Sequence, residues 1–518
     1  MAATWLNDAV FYEIYPQSFY DTNGDGIGDL NGIIEKLDYV KALGCNALWI
    51  NPCFDSPFKD AGYDVRDYKL VAPRYGTNDD LIRLFKEAHA RGMHVLLDLV
   101  PGHTSEEHEW FRMSQKAEKN EYSGRFIWTN FVFQPAKGLP FISGESERSG
   151  AYILNFFKCQ PALNYGFLHP TEDWQQPIDS PDAIATREAI KDIMRFWLDR
   201  GADGFRVDMA ASLVKFDDEK STGTSAFWRN VREMLDSEYP EAAMVSEWSN
   251  PKLALRAGYD MDFYLAFRDG GYNSLMRDYL RAQHDPSADP TDNSYFRKDS
   301  THDINPFLDE YLDWYEDTKD IGHISMLTCN HDTLRPRYNL TPDEMKLAYA
   351  LIFTLPGVPY LYYGDEIGMR YLDLPTKEGG YHRTGSRTPM QWSSGKNLGF
   401  SEGAAEDLYL PVDPSDDAPT VEAQEKDPDS LYNVTKALLR LRGECADLQA
   451  KGSLEILARE AGKPFVYRRG ALTLAINPAG ECMEAPVEVS GEIVYAIGAV
   501  SIADGKLAMG PQSFVVIR

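Results

Sequence analysis

Several carboxylates, two histidines and one arginine stand in this 518-residue chain where they could do chemistry. In Gly204-Phe205-Arg206-Val207-Asp208 polar and apolar residues alternate, so on a strand Arg206 and Asp208 share one face and Phe205 and Val207 the other. A guanidinium beside a carboxylate favours its ionised form, the state in which it can attack an electrophilic carbon. Taken alone, such a pair is more often a structural ion pair, so its meaning depends on what the chain brings beside it. Glu247 in Ser246-Glu247-Trp248 and Asp332 in Asn330-His331-Asp332 each close another apolar run, and Asp98 and His103 lie at and just beyond a third. Carboxylates gathered from separate strands repel one another, and a metal or a reaction is what justifies the cost.

A different pattern precedes these. Asp21, Asn23, Asp25 and Asp29 fall at odd positions of Asp-Thr-Asn-Gly-Asp-Gly-Ile-Gly-Asp. Oxygen side chains at alternate positions, with a carbonyl expected from Ile27, resemble the first part of a calcium loop, although Gly32 stands where such a loop ends in a bidentate glutamate. A structural Ca2+ held by Asp21, Asn23, Asp25, Ile27 and Asp29 is therefore expected, and no organic cofactor.

The elements that must position these residues are short apolar strands separated by helix-like runs. Strands are predicted over 10–19, 47–51, 94–100, 204–208, 243–247, 261–267, 323–329 and 359–363, and helices over 32–43, 79–91, 183–200, 224–237, 341–353 and 431–442. Near-continuous apolar strands alternating with helices indicate a parallel sheet with helical crossovers, and eight of them make the α/β fold of a (β/α)8 TIM barrel. In such a barrel the carboxyl ends of the strands form one face, so the polar residues above would meet there. The rhythm fails over 101–175, a Gly-, Ser- and aromatic-rich stretch too long for a βα loop and expected to be an inserted domain after the third strand. The domains expected are thus barrel residues 1–100 and 176–446, the insert, and a C-terminal antiparallel β-sandwich over 447–518.

Composition narrows the partners. A net charge of −28 argues against duplex nucleic acid or an anionic membrane. No window approaches 18 uninterrupted apolar residues, and the first ten residues have no basic or apolar leader region, so a soluble cytoplasmic protein is expected. The six cysteines show no C-x-x-C spacing and are expected to be free thiols. Oligomeric state cannot be read from the sequence.

From Trp5 to Trp392 the chain resembles the α-amylase family of retaining glycoside hydrolases (family 13), in the branch of oligosaccharide α-glucosidases, oligo-1,6-glucosidases and trehalose synthases. The motifs, in family order, are DLVPGHTS (98–105), QPALN (160–164), GFRVD (204–208), SEW (246–248) and NHD (330–332), with DGIGDL, DAGYDV and RTPMQW. The resemblance implies Asp208 as nucleophile, Glu247 as general acid and base, and Asp332 as a third carboxylate gripping the sugar hydroxyls. It implies His103 and His331 as sugar ligands and Arg206 as the residue holding Asp208 ionised. Asp60 and Tyr63 would close the pocket on the non-reducing end, with Arg387 pairing with Asp60, and Phe156 and Gln160 would form its wall. Asp98 is left out of the catalytic set. The activity implied is exo-cleavage of short α-glucosides with retention, for which the carboxyl groups of Asp208 and Glu247 should lie about 5 to 5.5 Å apart. The alternative is a transglucosylase or trehalose synthase-like isomerase. Gly102 stands where the family commonly has a calcium-binding asparagine, so no calcium is expected at the barrel/insert junction. Ala162 replaces the aspartate of QPDLN. Met209 departs at a position associated with linkage preference, which stays open.

Overall fold

The computed structural model describes residues 3–266, 270–279, 287, 291–379 and 383–518. Eight parallel strands make one sheet: β1 (Phe11–Ile14), β2 (Ala47–Ile50), β3 (His94–Leu99), β4 (Gly204–Val207), β5 (Ala243–Ser246), β6 (Met261–Phe263), β7 (His323–Ser325) and β8 (Tyr360–Tyr362). Each of β1 to β6 pairs with the next, and β8 pairs with β1. The ring closes just past β7, where Leu327 bridges Tyr360 and the Tyr360 amide donates to Met326 O at 2.8 Å. This is the expected TIM barrel.

The strands are shorter than the apolar runs that predicted them. Pro16 ends β1 in a 3-10 turn, Asp208 and Glu247 each stand one residue beyond their strand, and β7 stops four residues before Cys329. The sequence runs on because residues past the ladder stay buried as they turn into the bowl. The expected strand ending at Phe267 runs outside the described residues. The expected helix over 32–43 splits into Leu30–Glu35 and Leu37–Leu43, where the Lys36 amide bonds back to Ile33 O in a tightened turn. Helices at Asn78–Ala90 and Pro342–Thr354 each open on a threonine capping box, and Pro181–Leu198 opens on Ser180. One crossover helix, Asn305–Thr318, was not anticipated; its aromatic and acidic residues obscure the helical period.

Side chains inside the barrel form layers. Phe11, Trp49, Leu96, Val245, Phe263 and Tyr360 make an apolar plug. Two residues further along, the same inward face carries Glu13, Asp98 and Arg206, so period-two alternation lifts charged groups above the plug. After β3 the insert packs around its own cluster of Ile127, Ile153, Ala162, Phe167 and Trp174, with a hairpin of Phe141–Ser143 and Ala151–Ile153. Beyond residue 454 a five-stranded and a three-stranded antiparallel sheet face each other across Val466, Ala475, Val515, Leu507 and Met509, the expected sandwich. Among the described residues no helix is long and apolar enough to cross a membrane.

The anchor strand depends on Gly204. Its φ is +144°, and a Cβ there would stand 1.9 Å from Ala243 O on β5. Gly204→Ala is expected to destabilise the fold by about 2 to 4 kcal/mol, read as a lower chemical-denaturation midpoint. An unchanged midpoint would show that β4 and β5 can part at no cost.

Candidate active site

Arg206 is buried at the head of the barrel, and its guanidinium touches carboxylates from three strands. Nη1 lies 2.9 Å from Asp98 Oδ1 and 2.9 Å from Asp208 Oδ1, and Nη2 lies 3.0 Å from Glu247 Oε2. The Glu247 carboxylate also accepts the Met209 amide at 2.9 Å, an approach made possible because Met209 takes a left-handed φ of 42° straight after Asp208. Such backbone strain is held only where the surroundings over-determine it. Asp262, from β6, fixes the Glu247 loop by accepting the Ser246 hydroxyl at 2.6 Å and the amides of Trp248, Ser249 and Asn250.

One cation among three buried carboxylates leaves excess negative charge, and the protonation follows. Burial pushes Asp208 up to about 7 and Glu247 up to about 7 against the pull of Arg206, and Asp98 rises to about 6 for the same reason. Near neutrality the trio therefore carries a shared proton. Glu247 is more solvent-accessible than Asp208, at 19% side-chain exposure against 11%.

Asp332 is treated differently. Burial alone would raise it, but beside the Arg383 and Arg387 guanidiniums it is held well below the ordinary carboxylate range. Arg383 Nη1 is 2.7 Å and Arg387 Nη2 is 2.8 Å from Asp332 Oδ1. Burial holds His331 neutral; it sits between Glu13 at 2.8 Å on Nδ1 and the Tyr63 hydroxyl at 2.6 Å on Nε2. Tyr63 also donates to Asp98 at 3.0 Å, so one hydroxyl joins Asp98 to the neutral His331.

The structure corrects one expected pairing. Arg387 does not reach Asp60; it spans Asp332 and Glu378, the latter at 3.0 Å. Arg383 takes Asp60 instead, while Gln160 donates to the other Asp60 oxygen at 2.7 Å. Burial still raises Asp60 to about 6. Asp60, Tyr63, His103, Phe156, Gln160, Asp208, Glu247, Asp332 and Arg383 line one cavity of about 560 Å³. Arg206 and His331 sit behind its wall, bonded to lining residues. Sequence reasoning missed Arg383 and Glu13. The signals were an arginine four residues before Arg387 and a single charge inside the apolar run VFYEIYPQSF. Asp98 is a full partner of Arg206.

Asp21, Asn23, Asp25 and Asp29 lie in one surface loop and are engaged locally. The Asn23, Asp25 and Ile27 amides donate in turn to Asp21, Asn23 and Asp25 at 3.1, 2.9 and 2.9 Å. Successive turns of this kind give the path of an oxygen-lined loop. Asp21, however, also accepts from Gly24, Gly26 and the Ser401 hydroxyl, so a cation would have to displace protein donors from it. Among the described residues no three His, Cys, Asp or Glu side chains are gathered to hold a metal.

A profile of the alpha amylase catalytic domain matches residues 13–451. The chain is 34% identical over 506 residues to a trehalose synthase/amylase of Mycolicibacterium smegmatis, covering 90% of this chain and 80% of that one. It is 31% identical over 530 residues to a probable oligo-1,6-glucosidase of Bacillus subtilis, covering 90% and 89%. Among solved structures, a mutant isomaltulose synthase of Erwinia rhapontici in complex with sucrose superposes with a TM-score of 0.80 at 25% identity over 99% of both chains.

Removing the shared cation strands three carboxylates in the barrel. Arg206→Met is expected to destabilise the fold by about 3 to 5 kcal/mol at pH 8. The deficit should shrink toward pH 4. Without the guanidinium the folded carboxylate pKa values rise further above their unfolded ones, so the folded state binds more protons across that window and loses stability as pH rises. Denaturation of both proteins at several pH values reads this, and a pH-independent difference would contradict it.

Proposed function

The chain belongs to the α-amylase family, and from that premise we propose that it is a retaining α-glucosidase acting on the terminal bond of short α-glucosides. The observation that carries this reading is the single Arg206 guanidinium holding Asp208 and Glu247 side by side at the ends of neighbouring strands, with Asp332 lining the same cavity. In the proposed reaction a protonated Glu247 delivers its proton to the glycosidic oxygen while Asp208 attacks the anomeric carbon and the leaving sugar departs. Glu247, now a base, takes a proton from water, which attacks the glucosyl ester and frees Asp208. Two inversions return the α configuration. Asp332, kept anionic by Arg383 and Arg387, would grip ring hydroxyls as positive charge develops, and the Asp60–Arg383–Asp332 bridge would close the pocket behind one glucosyl unit.

A second reading, favoured by the likeness to a trehalose synthase/amylase, keeps the same intermediate and delivers it to a sugar hydroxyl instead of water. Product analysis at low and high maltose separates the two: free glucose alone supports hydrolysis, and new disaccharides support transfer. Asp208→Asn and Glu247→Gln are each expected to lower kcat/KM by at least about a thousandfold. The wild-type kcat/KM should fall on the alkaline side through a pKa near 7, because the raised pKa of Glu247 keeps it protonated only below that point. A β-configured first product, or activity surviving in Asp208→Asn, would end the retaining reading.

We further propose that Asp21, Asn23, Asp25, the Ile27 carbonyl and Asp29 bind a structural calcium ion, a reading supported by the alternation of oxygen donors along the loop. Adding calcium to chelator-treated protein is expected to raise the thermal midpoint by several degrees. Equal midpoints with and without the ion would mean that the loop is closed by its own hydrogen bonds.

A further inference from the structure

Beneath the site, at the junction of barrel and insert, lies a short chain of polar groups that the proposed reaction does not use. Lys215 Nζ donates to Ser212 O at 2.9 Å and to Asn155 Oδ1 at 3.2 Å. Asn155 Nδ2 lies 3.0 Å from His103 Nδ1, and His103 Nε2 lies 3.1 Å from Tyr63 O. Burial of Nζ lowers Lys215 to about 8 with no carboxylate opposing it, and the lysine charge helps burial hold His103 at about 4, so the imidazole is neutral.

We propose that Lys215 is a positioning residue whose ammonium, acting through the Asn155 carboxamide, fixes His103 in the tautomer protonated on Nε2. Both ends of the chain force this result. An ammonium only donates, so the Asn155 atom facing it must be the carbonyl oxygen, and the amide NH2 must turn the other way. An NH2 group also only donates, so His103 Nδ1 must be an acceptor and bear no proton. A neutral imidazole then carries its hydrogen on Nε2, where its partner among the described residues, the Tyr63 carbonyl, can do nothing but accept. Gly102 makes room for the arrangement, since a Cβ there would stand 2.7 Å from Asn155 Nδ2. Because His103 lines the cavity, the chain settles which hydrogen-bonding edge a substrate hydroxyl meets; that consequence rests on the glucosidase reading, while the tautomer does not.

The test combines spectroscopy with kinetics. In 15N-labelled protein at pH 7, with the His103 signals assigned by their loss in His103→Gln, long-range proton–nitrogen spectra should show an unprotonated Nδ1 and a protonated Nε2. Lys215→Met should mix the two tautomers and lower kcat/KM for maltose about tenfold, mainly through KM, and Lys215→Arg should restore both. Asn155→Asp offers His103 Nδ1 an acceptor, so the imidazole should gain a proton there and titrate at higher pH. If Lys215→Met does not fold, Asn155→Asp carries the test. A wild-type His103 protonated on Nδ1, or His103 signals unmoved in the folded variants, would overturn the proposal. Absence of maltose cleavage by the wild-type protein, with the tautomer shifts as expected, would instead count against the glucosidase reading.

Discussion

A single buried guanidinium, that of Arg206, lets the carboxyl end of this barrel hold Asp98, Asp208 and Glu247 within reach of one another. Three carboxylates from adjacent strands would not stay together in a low-dielectric interior without a cation, and one cation is too few to ionise all three. The shortfall is useful. It leaves the group with a proton near neutrality, and a pair of carboxylates in which one is protonated and the other is not is what acid-assisted nucleophilic attack requires.

The other side of the cavity solves the opposite problem. Asp332 faces two arginines and is pinned in its anionic form, so it can serve as a fixed negative charge but not as a proton donor. The two halves communicate through neutral groups: the Tyr63 hydroxyl joins Asp98 to His331, and His331 rests on the buried Glu13. Each charged side chain is thereby oriented by a residue that is itself locked, and the barrel supplies the rigid elements on which such precision depends.

Below this layer the core is ordinary. Phe11, Trp49, Leu96, Phe263 and Tyr360 plug the barrel, and the alternation of strand residues lifts Glu13, Asp98 and Arg206 clear of the plug. The insert contributes His103, Phe156 and Gln160 from an irregular stretch, which is tied to the barrel by backbone bridges such as Phe167 to Lys215. Loops can hold functional residues in place when a scaffold fixes both ends.

The sequence by itself determined the barrel, because short apolar strands at regular intervals have few other ways to bury both faces. It also placed the carboxylates at strand ends, since alternation and position relative to an apolar run are local properties. What it left undecided were pairings between segments far apart in the chain. Arg383 and Arg387 are four residues apart and identical in chemistry, and only folding decides that Arg383 reaches Asp60 while Arg387 turns to Glu378. The same holds for Asp98, which looks structural on its own strand and becomes a partner of Arg206 only when the next strand aligns in register beside it. Which carboxylate keeps a proton depends on burial and on neighbours from other strands, and those quantities exist only once the chain has closed on itself.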